Sequence, residues 1–129
     1  MILVDTSVWI DHLRKGVPQL EAVLEKQQVL VHPFILGELA CGNLVNRQEV
    51  LELLAALPAA TVATHDEALL LIERHALMGR GIGLLDVHLL ASAVMTEGGR
   101  LWSRDRRLSS VAAELKVAFS ETLRRSVPQ

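Results

Sequence analysis

Short uninterrupted runs of apolar residues alternate along the chain with longer segments whose apolar residues repeat at helical spacing. The first run, Ile2–Val4, stops abruptly at Asp5. A strand with one face in water would alternate polar and apolar residues, whereas an unbroken run is typical of a strand buried on both faces. Parallel strands need crossover connections, which are usually helices. We therefore predict an α/β fold with a single parallel β-sheet sandwiched between helices.

The predicted elements follow from the spacing of apolar residues and from the Gly and Pro residues that end helices. The predicted strands are residues 2–4, 29–31, 60–63, 101–102 and 117–119. The predicted helices are residues 7–14, 17–26, 34–41, 47–57, 64–78, 84–96 and 106–115. The helix over 64–78 begins with a capping box formed by Thr64 and Glu67. The helix over 84–96 has almost no polar face, which predicts that it is buried.

Length and composition indicate one globular domain. The chain has 129 residues, of which 50% are hydrophobic and 22% charged, so one hydrophobic core and one domain over residues 1–129 are expected. The single cysteine cannot close an internal disulfide, which favours a reducing compartment. The N-terminus lacks a signal-peptide pattern, and no apolar run reaches the roughly 18 residues of a membrane span. We expect a soluble, cytoplasmic protein that does not associate with membranes.

Charge is distributed unevenly although the net charge is only −2. Residues 1–99 carry six Lys or Arg and twelve Asp or Glu, whereas residues 100–129 carry seven and three. A basic C-terminal segment could hold phosphates while an acidic pocket lies elsewhere, but an ordinary solvated surface explains the same counts and is favoured on charge alone. The basic residues of this segment are Arg100, Arg104, Arg106, Arg107, Lys116, Arg124 and Arg125.

Four acidic residues interrupt apolar surroundings: Asp5, Glu38, Asp86 and Asp105. Asp5 and Asp105 each follow a predicted strand, which in a parallel sheet places them at the same edge. Glu38 and Asp86 lie on predicted helices, with no Lys or Arg beside them in sequence. Each acid has a structural alternative. Asp5 and Asp105 could cap helices, Asp86 could complement a helix dipole, and Glu38 could hold its carboxylate in water.

Repulsion between clustered carboxylates explains why this set points to a metal ion. Two like charges 4 Å apart repel by about 4 kcal/mol at an effective dielectric constant near 20, so such a cluster needs a counter-ion. Ligands that are all oxygen suit Mg²⁺ or Mn²⁺ better than Zn²⁺. An ion of this kind can clamp a phosphodiester, polarise it and supply a hydroxide for in-line attack.

Four segments resemble those of the PIN domain family in their order and spacing. They are residues 1–7, the helix that carries Glu38, residues 83–93 and residues 101–105. The short single-domain form is similar to the VapC-type toxins of bacterial toxin–antitoxin pairs. The resemblance implies a metal-dependent endoribonuclease in which the four acids surround Mg²⁺ or Mn²⁺, with Asp5 and Asp86 as the most direct ligands.

The resemblance also implies residues for substrate binding and a set of partners. Thr6 and Ser103 match hydroxyl positions that could orient a water or a phosphate, and that could equally be helix-end hydroxyls. Arg104 is the third candidate for substrate binding. The implied partners are an RNA substrate, a second copy of the chain in a homodimer, and a cognate antitoxin whose C-terminal segment covers the site.

Two other functions stay open. The first is a catalytically inactive PIN-like interaction module, whose apolar helices would bind a partner. It leaves the four acids unexplained. The second is a metal-dependent phosphatase, which also places acids at strand ends. It is disfavoured because Asp5 is followed by Thr6 and Ser7 rather than by a second acid two residues on.

Overall fold

A three-stranded parallel sheet lies at the centre of the computed structural model, which describes residues 1–121. The strands are β1 (Ile2–Val4), β2 (Val29–Leu30) and β3 (Arg100–Trp102). Their order is β2-β1-β3, and Leu3 is aligned with Leu30 on one side and with Leu101 on the other. Every residue of β1 is buried, so both faces of this strand are covered, because successive side chains point to opposite faces. The predicted α/β fold is confirmed.

Helices connect and cover the strands. In the described part of the chain they are α1 (Thr6–Lys15), α2 (Pro18–Glu25), α3 (Pro33–Ala40), α4 (Arg47–Ala55), α5 (His65–His75), α6 (Leu84–Met95) and α7 (Arg106–Glu114). The central helix α6 contacts β1, β3 and α5. Its residues from Val87 to Ala93 are all buried, which confirms the prediction made from its missing polar face. None of the helices within residues 1–121 has the length and apolar character that crossing a membrane requires.

The strand predicted over residues 60–63 is wrong. In its place a single parallel bridge joins Ala59 to Val31, at the β2 edge of the sheet. The Ala60 N–H donates to the Val31 carbonyl at 2.8 Å. Pairing then stops because the chain turns at once into the N-cap of α5 at Thr64. The sheet therefore gains one residue pair at this edge rather than a strand.

The strand predicted over residues 117–119 is also reduced to one bridge, between Ala118 and Leu101. The Leu101 N–H donates to the Val117 carbonyl and its carbonyl accepts from the Phe119 N–H. A single residue of β3 therefore makes all the ladder hydrogen bonds of this edge. The prediction located the right segment and overestimated how far the pairing extends.

Helix α5 ends three residues before the predicted end at Met78. Ala76 adopts a left-handed conformation with φ of 52°, and the Leu77 N–H closes the helix by donating to the Ile72 carbonyl at 3.0 Å. The predicted capping box at the other end is present, with reciprocal hydrogen bonds between Thr64 and Glu67. The start of this helix was therefore readable from the sequence, whereas its end is set by a left-handed alanine that no sequence rule favours.

Two glycines should respond oppositely to alanine. At Gly99, in the turn between α6 and β3, a Cβ atom would lie 2.5 Å from the Ala93 carbonyl oxygen and 2.9 Å from Thr96 Cβ. Gly99→Ala should therefore lower the free energy of unfolding by about 1–3 kcal/mol. At Gly37, inside α3, a Cβ atom would meet nothing within 4 Å, so Gly37→Ala should raise it by about 0.5–1 kcal/mol. Urea unfolding checks both, and equal effects of the two substitutions would contradict the described packing.

Candidate active site

Asp5 follows β1 directly and has only 7% of its surface exposed. Its backbone N–H donates to the Trp102 carbonyl at 2.9 Å, which fixes it beside the end of β3. Its carboxylate accepts hydrogen bonds from the Thr6 N–H at 2.8 Å, the Ser7 hydroxyl at 3.0 Å and the Ser103 hydroxyl at 2.7 Å. Asp5 is thus the N-cap of α1, and it also lies at the carboxyl edge of the sheet, where its proposed role in a site stays a prediction.

Thr6 connects Asp5 to a second acid. Its N–H donates to Asp5, and its hydroxyl donates to Glu38 at 2.8 Å. Glu38 lies on α3, which contacts α1, and this contact brings together two residues that are 32 positions apart in sequence. Glu38 is exposed, so its carboxylate lies in water despite its apolar sequence neighbours.

Ser103 connects Asp5 to a third acid. Its hydroxyl donates to Asp5 and accepts from the Asp105 N–H at 3.0 Å. Asp105 is exposed and is the N-cap of α7, where its carboxylate accepts from the Leu108 N–H at 3.0 Å. The two hydroxyls predicted near the site, those of Thr6 and Ser103, therefore both bind Asp5 or its neighbouring acids.

Asp86 lies in the first turn of α6 and is half-buried. Burial raises the pKa of Asp86, a hydrogen bond from the Gly83 N–H at 3.3 Å opposes this, and the charges of Asp5, Asp105 and Glu38 raise the pKa further. These four acids, which we call the four-acid site, come from four separate parts of the chain. Hydrogen bonds through Thr6 and Ser103 connect three of them, Asp5, Glu38 and Asp105, and the charges of these three act on Asp86.

No basic side chain neutralises the four-acid site within residues 1–121. The salt bridges of that region are Arg80–Glu114, Arg104–Asp11 and Arg104–Glu121. Over the same residues, no group of three or more His, Cys, Asp or Glu side chains is arranged so that it could hold a metal ion. The donor chemistry fits a hard divalent cation, because the four acids offer only oxygen ligands and have no internal counter-charge. The fit is one of chemistry and net charge, without a preformed coordination shell.

Arg104, the third candidate for substrate binding, has its guanidinium between two carboxylates. Nη1 donates to Asp11 at 2.8 Å, while Nε and Nη2 donate to Glu121 at 3.1 Å and 2.6 Å. The backbone N–H of Arg104 donates to the Ser7 hydroxyl at 3.0 Å. The guanidinium is therefore engaged by the protein itself.

Four further arginines of the basic C-terminal segment follow Asp105 in sequence, and the structure describes two of them. Arg106 and Arg107 are exposed in the first turn of α7, next to Asp105. Arg124 and Arg125 lie outside the described residues. The start of α7 therefore carries two exposed arginines directly after Asp105 in sequence.

The sequence model of the PIN domain family matches residues 2–114, a range that includes all four acids. The chain therefore belongs to the PIN domain family. Among curated relatives it is similar to proteins named Ribonuclease VapC32 from two strains of Mycobacterium tuberculosis, CDC 1551 / Oshkosh and ATCC 25618 / H37Rv. Each is 48% identical over 121 residues, which cover 94% of this chain and 98% of the relative. This similarity places the chain among the VapC members of the family and confirms the resemblance deduced from its motifs.

Two buried histidines connect the helices that carry Glu38 and Asp86. His32 is the N-cap of α3, where its Nδ1 accepts from the Phe34 N–H at 3.0 Å, and His88 lies on α6. The Phe34 ring packs between them, with centroid distances of 5.0 Å to His32 and 5.1 Å to His88. Both histidines therefore act as packing residues. The one sequence signal for His32 is its position just before Pro33, which begins α3.

The buried histidine should make stability depend on pH. Burial, together with the charge of His88, lowers the pKa of His32 from 6.5 to about 4. The unfolded chain therefore binds a proton that the folded chain refuses, so stability is lost as the pH falls from about 6.5 towards 4. His32→Asn retains a capping side chain and should reduce this loss by up to about 3 kcal/mol.

Urea unfolding of wild type and His32→Asn at pH 7, 6, 5 and 4 measures the difference. The exposed His75→Asn controls for loss of an imidazole elsewhere. Parallel stability curves for wild type and His32→Asn would contradict the burial of a neutral imidazole at this position.

Proposed function

We propose that this protein is an endoribonuclease that depends on Mg²⁺ or Mn²⁺, and that it acts as a VapC-type toxin restrained by a cognate antitoxin. The observation that carries the proposal is the four-acid site, in which Thr6 and Ser103 connect Asp5 to Glu38 and Asp105 by hydrogen bonds and the charges of these three acids raise the pKa of Asp86. Within residues 1–121 none of the four acids forms a salt bridge. The relatives named as ribonucleases support the same activity. A site with uncompensated negative charge suits a divalent cation and a phosphodiester substrate.

In this proposal Asp5 and Asp86 bind the metal directly, and Glu38 and Asp105 bind it directly or through water. The bound ion would polarise the phosphodiester and lower the pKa of a water. The remaining chemistry belongs to the chain. The Ser103 and Thr6 hydroxyls donate to the Asp5 and Glu38 carboxylates and orient them. Because the described residues form no ready coordination shell, the acids would move closer together when the ion binds.

The proposed partners are RNA, the antitoxin and a second copy of the chain. Single-stranded RNA presents flexible phosphates, for which the exposed Arg106 and Arg107 beside Asp105 are suitable contacts. Leu53 on α4, and Leu69 and Leu70 on α5, are exposed, and exposed apolar surface of this kind is used in protein interfaces. We propose that residues 1–129 form a single ribonuclease domain of the PIN type.

The activity is tested with a covalently closed circular RNA. Wild type should linearise it in the presence of Mg²⁺ or Mn²⁺ and should stop when EDTA is added. Asp5→Asn and Asp86→Asn should each lower the rate by at least about 100-fold. Losing a residue that only supports a metal ligand costs up to about 100-fold, and losing a ligand itself should cost at least as much. Asp66→Asn, at an exposed acid in the first turn of α5, is the matched control and should cleave at the wild-type rate.

The circular substrate separates the proposal from its alternatives. A phosphatase needs a terminal phosphate and leaves a circle intact, and an inactive interaction module leaves it intact with any metal. Full cleavage by Asp5→Asn and Asp86→Asn, with folding verified by circular dichroism, would refute the assignment of these acids even if the protein cuts RNA.

Metal binding is tested without RNA through thermal unfolding. A ligand at 100 times its dissociation constant adds about 2.7 kcal/mol to the stability of the folded state, or roughly 10 °C for a domain of this size. Mn²⁺ should therefore raise the Tm of wild type strongly and that of Asp86→Asn much less.

Without metal, Asp86→Asn should be more stable than wild type. Burial and three neighbouring carboxylates disfavour the charged form of Asp86, so Asp86→Asn should have the higher Tm in EDTA at pH 7. An equal response of both proteins to Mn²⁺ would count against an ion shared by these acids.

A further inference from the structure

The connection between β3 and α7 is attached to the rest of the protein by several hydrogen bonds. Its three residues, 103–105, include two that contact Asp5 or its hydroxyl partners: Ser103 donates to Asp5, and the Arg104 N–H donates to Ser7. The third, Asp105, caps α7. The position of this short connection therefore decides where two members of the four-acid site lie relative to each other.

The side chain of Arg104 attaches the connection to two further parts of the chain. Its guanidinium joins Asp11, on α1, to Glu121, which follows the last bridge of the sheet. Glu121 is held in turn by the Trp102 indole N–H, which donates to it at 3.0 Å. Three of the five N–H donors of the guanidinium are used in these bonds.

We propose that Arg104 is a positioning residue: clamped by Asp11 and Glu121, it locks the β3–α7 connection and thereby sets Ser103 and Asp105 against Asp5. The fork geometry of arginine suits this task, because it holds two carboxylates in fixed directions where a lysine would act as a point charge. The catalytic consequence of the lock rests on the proposed function, but the lock itself is a property of the folded chain.

The lock and a phosphate-binding role for Arg104 predict opposite effects of removing Glu121. If Arg104 binds RNA phosphates, Glu121 competes with the substrate, and its removal frees the guanidinium. If Arg104 positions the connection, Glu121 is a necessary part of the clamp, and its removal loosens the site. The hydrogen bonds favour the clamp. The Arg104 guanidinium donates two bonds to Glu121 and one to Asp11, and the Trp102 indole donates a further bond to Glu121.

The lock is tested first without any reaction, by amide hydrogen exchange in the full-length protein. Glu121→Gln keeps the shape of the side chain and an acceptor for the Trp102 indole, and removes the charge. The Asp105 and Leu108 amides, which donate to Ser103 and to Asp105, should exchange roughly threefold to tenfold faster in this variant.

The matched control is Glu114→Gln, which breaks a comparable arginine–glutamate pair with Arg80 and should leave the two amides unchanged. Unchanged exchange of both amides in Glu121→Gln, or an equal acceleration in Glu114→Gln, would overturn the lock.

The second arm measures circular RNA cleavage at several Mn²⁺ concentrations. The lock predicts that Glu121→Gln lowers kcat, or raises the Mn²⁺ needed for half-maximal rate, by roughly threefold to tenfold with KM for RNA unchanged. Arg104→Lys should retain more activity than Arg104→Met, because it preserves the positive charge and loses only the fork geometry. A lower KM in Glu121→Gln would overturn the lock in favour of phosphate binding. If no variant and no wild type cleaves RNA, the proposed function fails while the exchange measurement still decides the lock.

Discussion

Repulsion among four carboxylates is the constraint on which the rest of this structure depends. A fold that gathers like charges must hold them in place, and here neutral donors do so. Asp5 is held by the Thr6 amide and by the hydroxyls of Ser7 and Ser103. Such donors stabilise an anion without cancelling its charge, so the negative field persists at the site. A lysine or arginine in the same position would satisfy the acids and remove their capacity to attract a divalent cation.

The parallel sheet determines where this field is concentrated. Because β1 and β3 are adjacent and parallel, Asp5 and Ser103 leave the sheet at the same edge, where ligands of open α/β sheets bind. The buried helix α6 packs on both strands and carries Asp86 in its first turn. Glu38 joins through α3 and the Thr6 hydroxyl. The close-packed apolar core therefore fixes the positions of the strands and helices that carry these acids.

The sequence predicted the centre of the sheet and the buried helix α6 better than the edges of the sheet. Asp5 was readable because it ends an unbroken apolar run, and the burial of α6 followed from its missing polar face. The strand over residues 60–63 was wrong, since its apolar composition cannot show that the chain turns away after one bridge. The role of Arg104 was also unreadable, because its partner Glu121 is 17 residues away and no local pattern pairs them. Long-range contacts of this kind exist only in the folded chain.

In the proposed function the four acids share a divalent cation. The most direct measurement is a crystal structure grown with Mn²⁺, in which anomalous scattering identifies the ion independently of any assumed chemistry. We predict an anomalous peak in contact with the carboxylates of Asp5 and Asp86, with Glu38 or Asp105 completing the shell directly or through water. A map with no peak among these acids, at a Mn²⁺ concentration that supports RNA cleavage, would contradict the account.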